Sequence, residues 1–143
     1  MNFKNSILFL VVLTFLSCTS KKQIISFTEI AKGGHSNVEN AKLVVINDLS
    51  NYNEIFSTIN ETREPNLEIP AIDFDNEMGI GLFMGLKNSG GYSIQIDSIV
   101  SKPKELVIFV KESKPKGRRA TSVMTQPFYI AKIKKTSKKI IFR

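Results

Sequence analysis

A short glycine-containing stretch between two apolar segments constrains the fold of this chain more than any other feature. Residues 87–91 read Lys-Asn-Ser-Gly-Gly, and Tyr92 follows them directly. Asn tolerates left-handed backbone and Gly adopts positive φ without steric cost, so this composition is typical of a turn. An apolar run over residues 78–84 precedes the turn, and residues 92–97 alternate between apolar and polar side chains after it. The pattern predicts a β-hairpin with a polar, glycine-rich loop.

The apolar run before this loop has two different faces. If it is a strand, successive side chains point to opposite sides of the sheet. One face then carries Met78, Ile80, Leu82 and Met84, and the other carries glycines together with Phe83. Glycines on one strand face indicate close approach of another backbone or of an aromatic ring.

One helix is expected over residues 51–60, with Asp48 or Ser50 as its N-cap. Apolar residues recur there at helical spacing and would form one buried face. They are Tyr52, Ile55, Phe56 and Ile59.

Most other segments have the β-branched or alternating composition of strands. The chain is therefore predicted to be mainly β (α+β), with an antiparallel sheet or a small β-sandwich of five to seven strands and one helix. At 143 residues with 42% hydrophobic residues, the chain can form one ordinary core, and we expect a single domain over residues 24–143. The expected strand segments are 24–30, 41–46, 78–84, 92–97, 105–110, 127–133 and 139–143.

The N-terminal segment has the character of an export signal. Residues 7–16 are mostly apolar and too few to span a bilayer. The sequence Phe-Leu-Ser-Cys at residues 15–18 resembles a bacterial lipobox, and Cys18 is the only cysteine of the chain. We expect a lipoprotein signal peptide over residues 1–17, a tether over 18–23, and anchoring through a lipidated Cys18 in the bacterial cell envelope, facing the periplasm or the cell surface. The alternative is a plain secretory signal with an incidental cysteine.

Charge is distributed unevenly along the chain. Residues 18–100 contain six Lys or Arg and eleven acids, whereas residues 101–143 contain thirteen Lys or Arg and two acids. A basic segment of this kind can bind nucleic acid, but an exported protein is not expected to meet it. A solvated strand face, anionic lipid head groups and an acidic partner protein remain as interpretations.

Residues with catalytic or metal-binding chemistry are scarce. The one histidine, His35, lies in a glycine-containing segment, and no phosphate-binding or nucleophile-elbow motif occurs. Asp73, Asp75 and Glu77 alternate, but the calcium-loop signature is missing, so a solvated strand end is favoured over a metal site. We expect a protein that is not an enzyme and holds no metal or cofactor.

A family likeness is carried by Gly85, by the Ser-Gly-Gly-Tyr sequence at 89–92, and by residues 93–98, 106–112 and 125–133. In these features the sequence from about residue 73 to 143 resembles the C-terminal domain of PrcB, an accessory subunit of a secreted bacterial protease complex. The resemblance implies a domain type and a class of partner, a secreted peptidase, and no reaction of the domain itself.

These observations favour a protein-binding envelope lipoprotein, an accessory, stabilising or inhibitory partner of a peptidase, whose loops contact the partner. The alternative is a structural envelope lipoprotein that associates with anionic lipid through its basic C-terminal region. The predicted contacts are Asn88, Ser89, Gly90, Gly91 and Tyr92 in the glycine loop and Lys114, Lys116, Arg118 and Arg119 in a basic loop.

Overall fold

A computed structural model describes residues 22–115 and 122–143. Cys18, Lys116, Arg118 and Arg119 lie outside these described residues, so the expectations on them are not addressed by the fold. Within the described ranges, the elements in chain order are β1 (Gln23–Ile24), β2 (Thr28–Gly33), β3 (Lys42–Ile46), α1 (Leu49–Asn60), β4 (Glu77–Phe83), β5 (Ser93–Ser101), β6 (Glu105–Ser113), β7 (Phe128–Lys134) and β8 (Lys139–Phe142).

The strands form two four-stranded sheets. Sheet I has the order β1-β5-β6-β8, and sheet II has the order β2-β7-β4-β3. All neighbours are antiparallel except β6 and β8, which run parallel. The predicted mainly β sandwich with one helix is confirmed. The described residues contain eight strands rather than five to seven because the segment expected as one strand over residues 24–30 is divided between β1 in sheet I and β2 in sheet II.

The predicted hairpin around the glycine loop is wrong. β4 pairs with β3 and β7 in sheet II, whereas β5 pairs with β1 and β6 in sheet I. Residues 84–92, which we call the arch loop, therefore cross from one sheet to the other. Turn chemistry specifies that the chain reverses, but it does not specify that the flanking strands exchange hydrogen bonds. Positive φ occurs at Gly85 and Gly91 and not at Asn88 or Gly90.

One core fills the space between the sheets. Inward-facing side chains of β4 and β7 meet those of β5 and β6, and the even-numbered face of β4 predicted from the sequence lies here. A bulge at Asp97 shifts the register of β5, so Ile96 and Ile99 both face this core. Even-numbered residues of β5 face the core before the bulge, and odd-numbered residues face it after the bulge.

A second core lies between sheet II and α1, giving three layers: sheet I, sheet II and helix. Its members include all four predicted helix residues together with Phe83 and Phe128. The aromatic approach expected over the β4 glycines is present, because a Cβ at Gly81 would lie 3.0 Å from the Phe83 ring. Asp48 caps α1 as predicted, its Oδ1 accepting a hydrogen bond from the Asn51 backbone N–H at 2.8 Å. In the described ranges no helix has the length and apolarity to cross a membrane.

Candidate functional site

The arch loop is fixed at its start by a glycine that no other residue can replace without strain. Gly85 has φ +68°, and a Cβ there would lie 2.6 Å from the Ala41 nitrogen and 2.7 Å from the Glu39 carbonyl oxygen. The next residue, Leu86, donates its N–H to the same Glu39 oxygen at 2.9 Å. The loop therefore leaves β4 pressed against the segment that precedes β3.

The middle of the arch loop is held by the segment that leads into β7. Lys87 and Thr125 exchange two backbone hydrogen bonds, of 2.8 and 2.9 Å. The Thr125 hydroxyl also donates to the Ser89 carbonyl at 2.9 Å. Because Thr125 is 9% exposed, these bonds are shielded from water. Residues 84–92 and 122–127 thus form one connected structure, which we call the loop end.

The end of the arch loop meets the start of the basic loop. Gly91 has φ +86°, and a Cβ there would lie 2.9 Å from the Pro115 Cβ. Lys114, the one predicted basic-loop contact within the described residues, is exposed next to Pro115. The two loops singled out from the sequence are therefore adjacent at Gly91 and Pro115, although 24 positions separate these residues along the chain.

Tyr92 lies partly in the core and partly at the surface. Its ring is half-buried and packs against the core between the sheets. The Lys87 Nζ lies 5.8 Å from its ring centroid, within the range of a cation–π contact. Tyr92 also lines a groove of about 340 Å³ between the beginning of β5 and the end of β2, whose other walls include Gly34 and Phe128. The residue supports the fold and borders an open groove.

Sequence reasoning missed the exposed apolar residues of the loop end. Leu86, Val123 and Met124 are 44%, 53% and 64% exposed, and Asn88 beside them is also exposed. Their apolar character next to polar turn residues is the signal that could have identified them. Such residues contribute to recognition when a partner covers them, because burial removes apolar surface from water.

The alternating carboxylates form a hydrogen-bonded turn before β4. Asp73 accepts hydrogen bonds from the Asn76 side chain and the Asp75 backbone, and these lower its pKa. Glu77 accepts from Lys132 at 3.0 Å, and this bond, followed by one from the Asp73 N–H, lowers the pKa of Glu77. Within residues 22–115 and 122–143, no group of three or more His, Cys, Asp or Glu could hold a metal ion.

His35 is exposed beside the loop end and its carbonyl oxygen accepts a hydrogen bond from Arg63 at 2.8 Å. In the described part of the chain its side chain makes no hydrogen bond. His35 therefore helps to fix the loop before β3 through its backbone carbonyl and not through its side chain.

The expected resemblance is confirmed by comparison with protein families. Residues 78–134 match the family model described as PrcB C-terminal. This PrcB-C-like segment runs from β4 to β7, so it contains the arch loop and the whole loop end. It is shorter than the span of about 73–143 expected from the sequence. No curated protein and no solved structure matched the chain.

Proposed function

We propose that the chain is a non-enzymatic envelope lipoprotein, anchored through Cys18, whose loop end binds a secreted peptidase as an accessory subunit. The class of partner comes from the PrcB-C-like segment, whose family is named for a protease-complex subunit. The observation that carries the proposal is the exposure of three apolar residues of the loop end, Leu86, Val123 and Met124, within that segment. Met is enriched at the cores of protein interfaces, where the partner removes it from water.

The construction of the loop end supports a binding role over a purely connecting one. Backbone hydrogen bonds tie Leu86, Lys87 and Thr125 to their neighbours, so the exposed side chains project from a fixed backbone. A surface that is ordered before binding loses less conformational entropy when the partner docks. The groove beside Tyr92 provides a concave feature next to the exposed cluster, suited to a projecting side chain of the partner.

Site-specific crosslinking in the native envelope tests the proposal. A photo-crosslinking residue placed at Met124, which is 64% exposed, should capture a peptidase that mass spectrometry can identify. The matched control is Leu49, which is 58% exposed and begins α1 at the opposite end of sheet II. The absence of a peptidase adduct from position 124, or an equal adduct from position 49, would contradict the proposal.

A second pair of substitutions separates recognition from folding. Asn88→Ala with Ser89→Ala should weaken capture of the peptidase found at position 124. The melting temperature should change little, because exposed turn substitutions typically matter by less than about 0.5 kcal/mol. Unchanged capture by the folded double variant would show that Asn88 and Ser89 do not contribute to peptidase binding.

A further inference from the structure

A row of apolar residues crosses all four strands of sheet I on its outer face. The strand register places Ile24 opposite Val100, Val100 opposite Val107, and Val107 opposite Ile141. Directly paired residues share a sheet face, so the four side chains lie side by side. Phe109, two residues after Val107 on β6, extends the row along the strand.

These residues belong to neither core. Their neighbours Ile99, Ile108 and Phe142 face the core between the sheets, so the alternating residues point away from it. Ile24 is 77% exposed and Phe109 is 37% exposed, Val100 and Ile141 are half-buried, and Val107 at the centre is 1% exposed. Apolar residues gathered on one exposed face, as opposed to scattered singly, mark an interaction surface. We call these five residues the apolar row.

Cations lie beside the part of the apolar row on β6 and β8. Lys139 pairs with Glu105 on the outer face, and Lys111 pairs with Gln95 on the same face. Arg143 lies beside Phe109, because its backbone bonds to Ile108 and Val110 on either side. Neither of the two ion pairs found among the described residues involves these cations. The face therefore combines apolar side chains with three cations and with Glu105, which lies opposite Lys139 but forms neither of those ion pairs, so positive charge predominates.

The apolar row also lies where the N-terminal tether meets the fold. β1 pairs with the last residues of β5, at the end opposite the loop end. Only six positions separate Cys18 from Ile24, and such a segment spans at most about 20 Å when extended. The loop end lies at the other end of β5, where the arch loop joins Ser93. The seven residues of strand from Val100 to Ser93 cover roughly 23 Å at the usual rise per residue, and this length separates the loop end from the tether.

We propose that the outer face of sheet I rests on an anionic phospholipid bilayer. The exposed side chains of the apolar row, above all Ile24 and Phe109, enter the head-group boundary, while Lys111, Lys139 and Arg143 contact lipid phosphates. A second copy of the chain fits less well, because two such faces would oppose cation against cation. Bilayer contact along this face would hold the loop end away from the tether and free for a partner. The inference rests on the envelope location in the proposed function and is independent of the peptidase.

A tryptophan reporter tests this orientation, because the natural chain contains no Trp. The full chain carrying Phe109→Trp is reconstituted into bilayers that contain brominated phosphatidylglycerol or brominated phosphatidylcholine. The control is Leu49→Trp on α1, since the helix layer lies on the far side of sheet II from sheet I. We expect at least twofold quenching for the reporter at position 109 in anionic bilayers, and little in neutral bilayers. The reporter at position 49 should be quenched little in either.

Charge reversal supplies the second test. Lys139→Glu with Arg143→Glu, added to the Phe109→Trp chain, should reduce quenching in anionic bilayers to the neutral level, with circular dichroism unchanged. Equal quenching at positions 109 and 49, equal quenching in both lipids, or indifference to charge reversal would overturn the proposal. Quenching at 109 with no peptidase crosslink at Met124 would reject the peptidase role alone. A crosslink without quenching would reject the bilayer face alone.

Discussion

Replacing Gly85 by Ala tests whether the arch loop is held by the close contact with the segment before β3. The substitution places a Cβ 2.6 Å from the Ala41 nitrogen and 2.7 Å from the Glu39 oxygen, at a backbone φ of +68°. Both contacts are with backbone atoms, which cannot rotate away as the end of a side chain can. Either the arch loop or the segment before β3 has to move.

The magnitude follows from two contributions. A non-glycine residue in the left-handed region costs about 1–2 kcal/mol. Moving the two segments apart also weakens the bond from the Leu86 N–H to the Glu39 oxygen, which contributes about 0.5–1.5 kcal/mol net. We therefore expect Gly85→Ala to lower the free energy of unfolding by about 2–3 kcal/mol, equivalent to a melting temperature lower by about 10 °C in a domain of this size.

Urea denaturation followed by far-ultraviolet circular dichroism measures this change, since the chain has no Trp to report by fluorescence. The matched control is Gly34→Ala, because no atom lies within 4 Å of a Cβ there and its φ is not positive. That variant should be neutral or more stable by up to about 1 kcal/mol. If Gly85→Ala stays within about 0.5 kcal/mol of the natural chain, the reasoning on this contact is wrong.

Two further predictions concern ionisation and anchoring. Burial raises the pKa of Tyr52 and of Tyr129 to about 12, with the charge of Glu29 adding to the effect at Tyr129. Because the pKa of each is higher in the folded state than the value near 10 of an unfolded chain, the stabilisation is complete below pH 10. It is lost progressively as pH rises from 10 toward 12; urea midpoints that stay constant from pH 9 to 11.5 would contradict this. Cys18→Ser should abolish incorporation of a labelled fatty acid in a bacterial host, and retained label would show that Cys18 is not the lipidated residue.

Side-chain periodicity within each element could be predicted from the sequence. The four apolar residues of α1 all face one core, and Asp48 caps the helix, because both features depend on local spacing and local hydrogen bonding. The division of β4 into a side-chain face and a glycine face was also predictable. Alternation specifies which residues share a face as soon as the segment is a strand.

The loop end was predictable only in part. The sequence identified the arch loop and the basic loop by their turn composition, but their contact at Gly91 and Pro115 depends on the path of β5 and β6. Leu86 and Met124 were missed because their exposure is decided by long-range packing. An apolar residue next to a turn has the same sequence pattern whether the fold covers it or leaves it open.

Strand pairing was decided by the tertiary structure alone. β4 and β5 are neighbours in sequence with a turn between them, yet each pairs with other strands because pairing is chosen by the burial of both faces of sheet II between α1 and sheet I. The same long-range choice aligns Ile24, Val100, Val107 and Ile141 in one row, although 117 positions separate the first from the last. Local sequence determines which way each side chain points along its own strand. Only the assembled sheets determine which side chains lie next to one another, because register is set between segments that are distant along the chain.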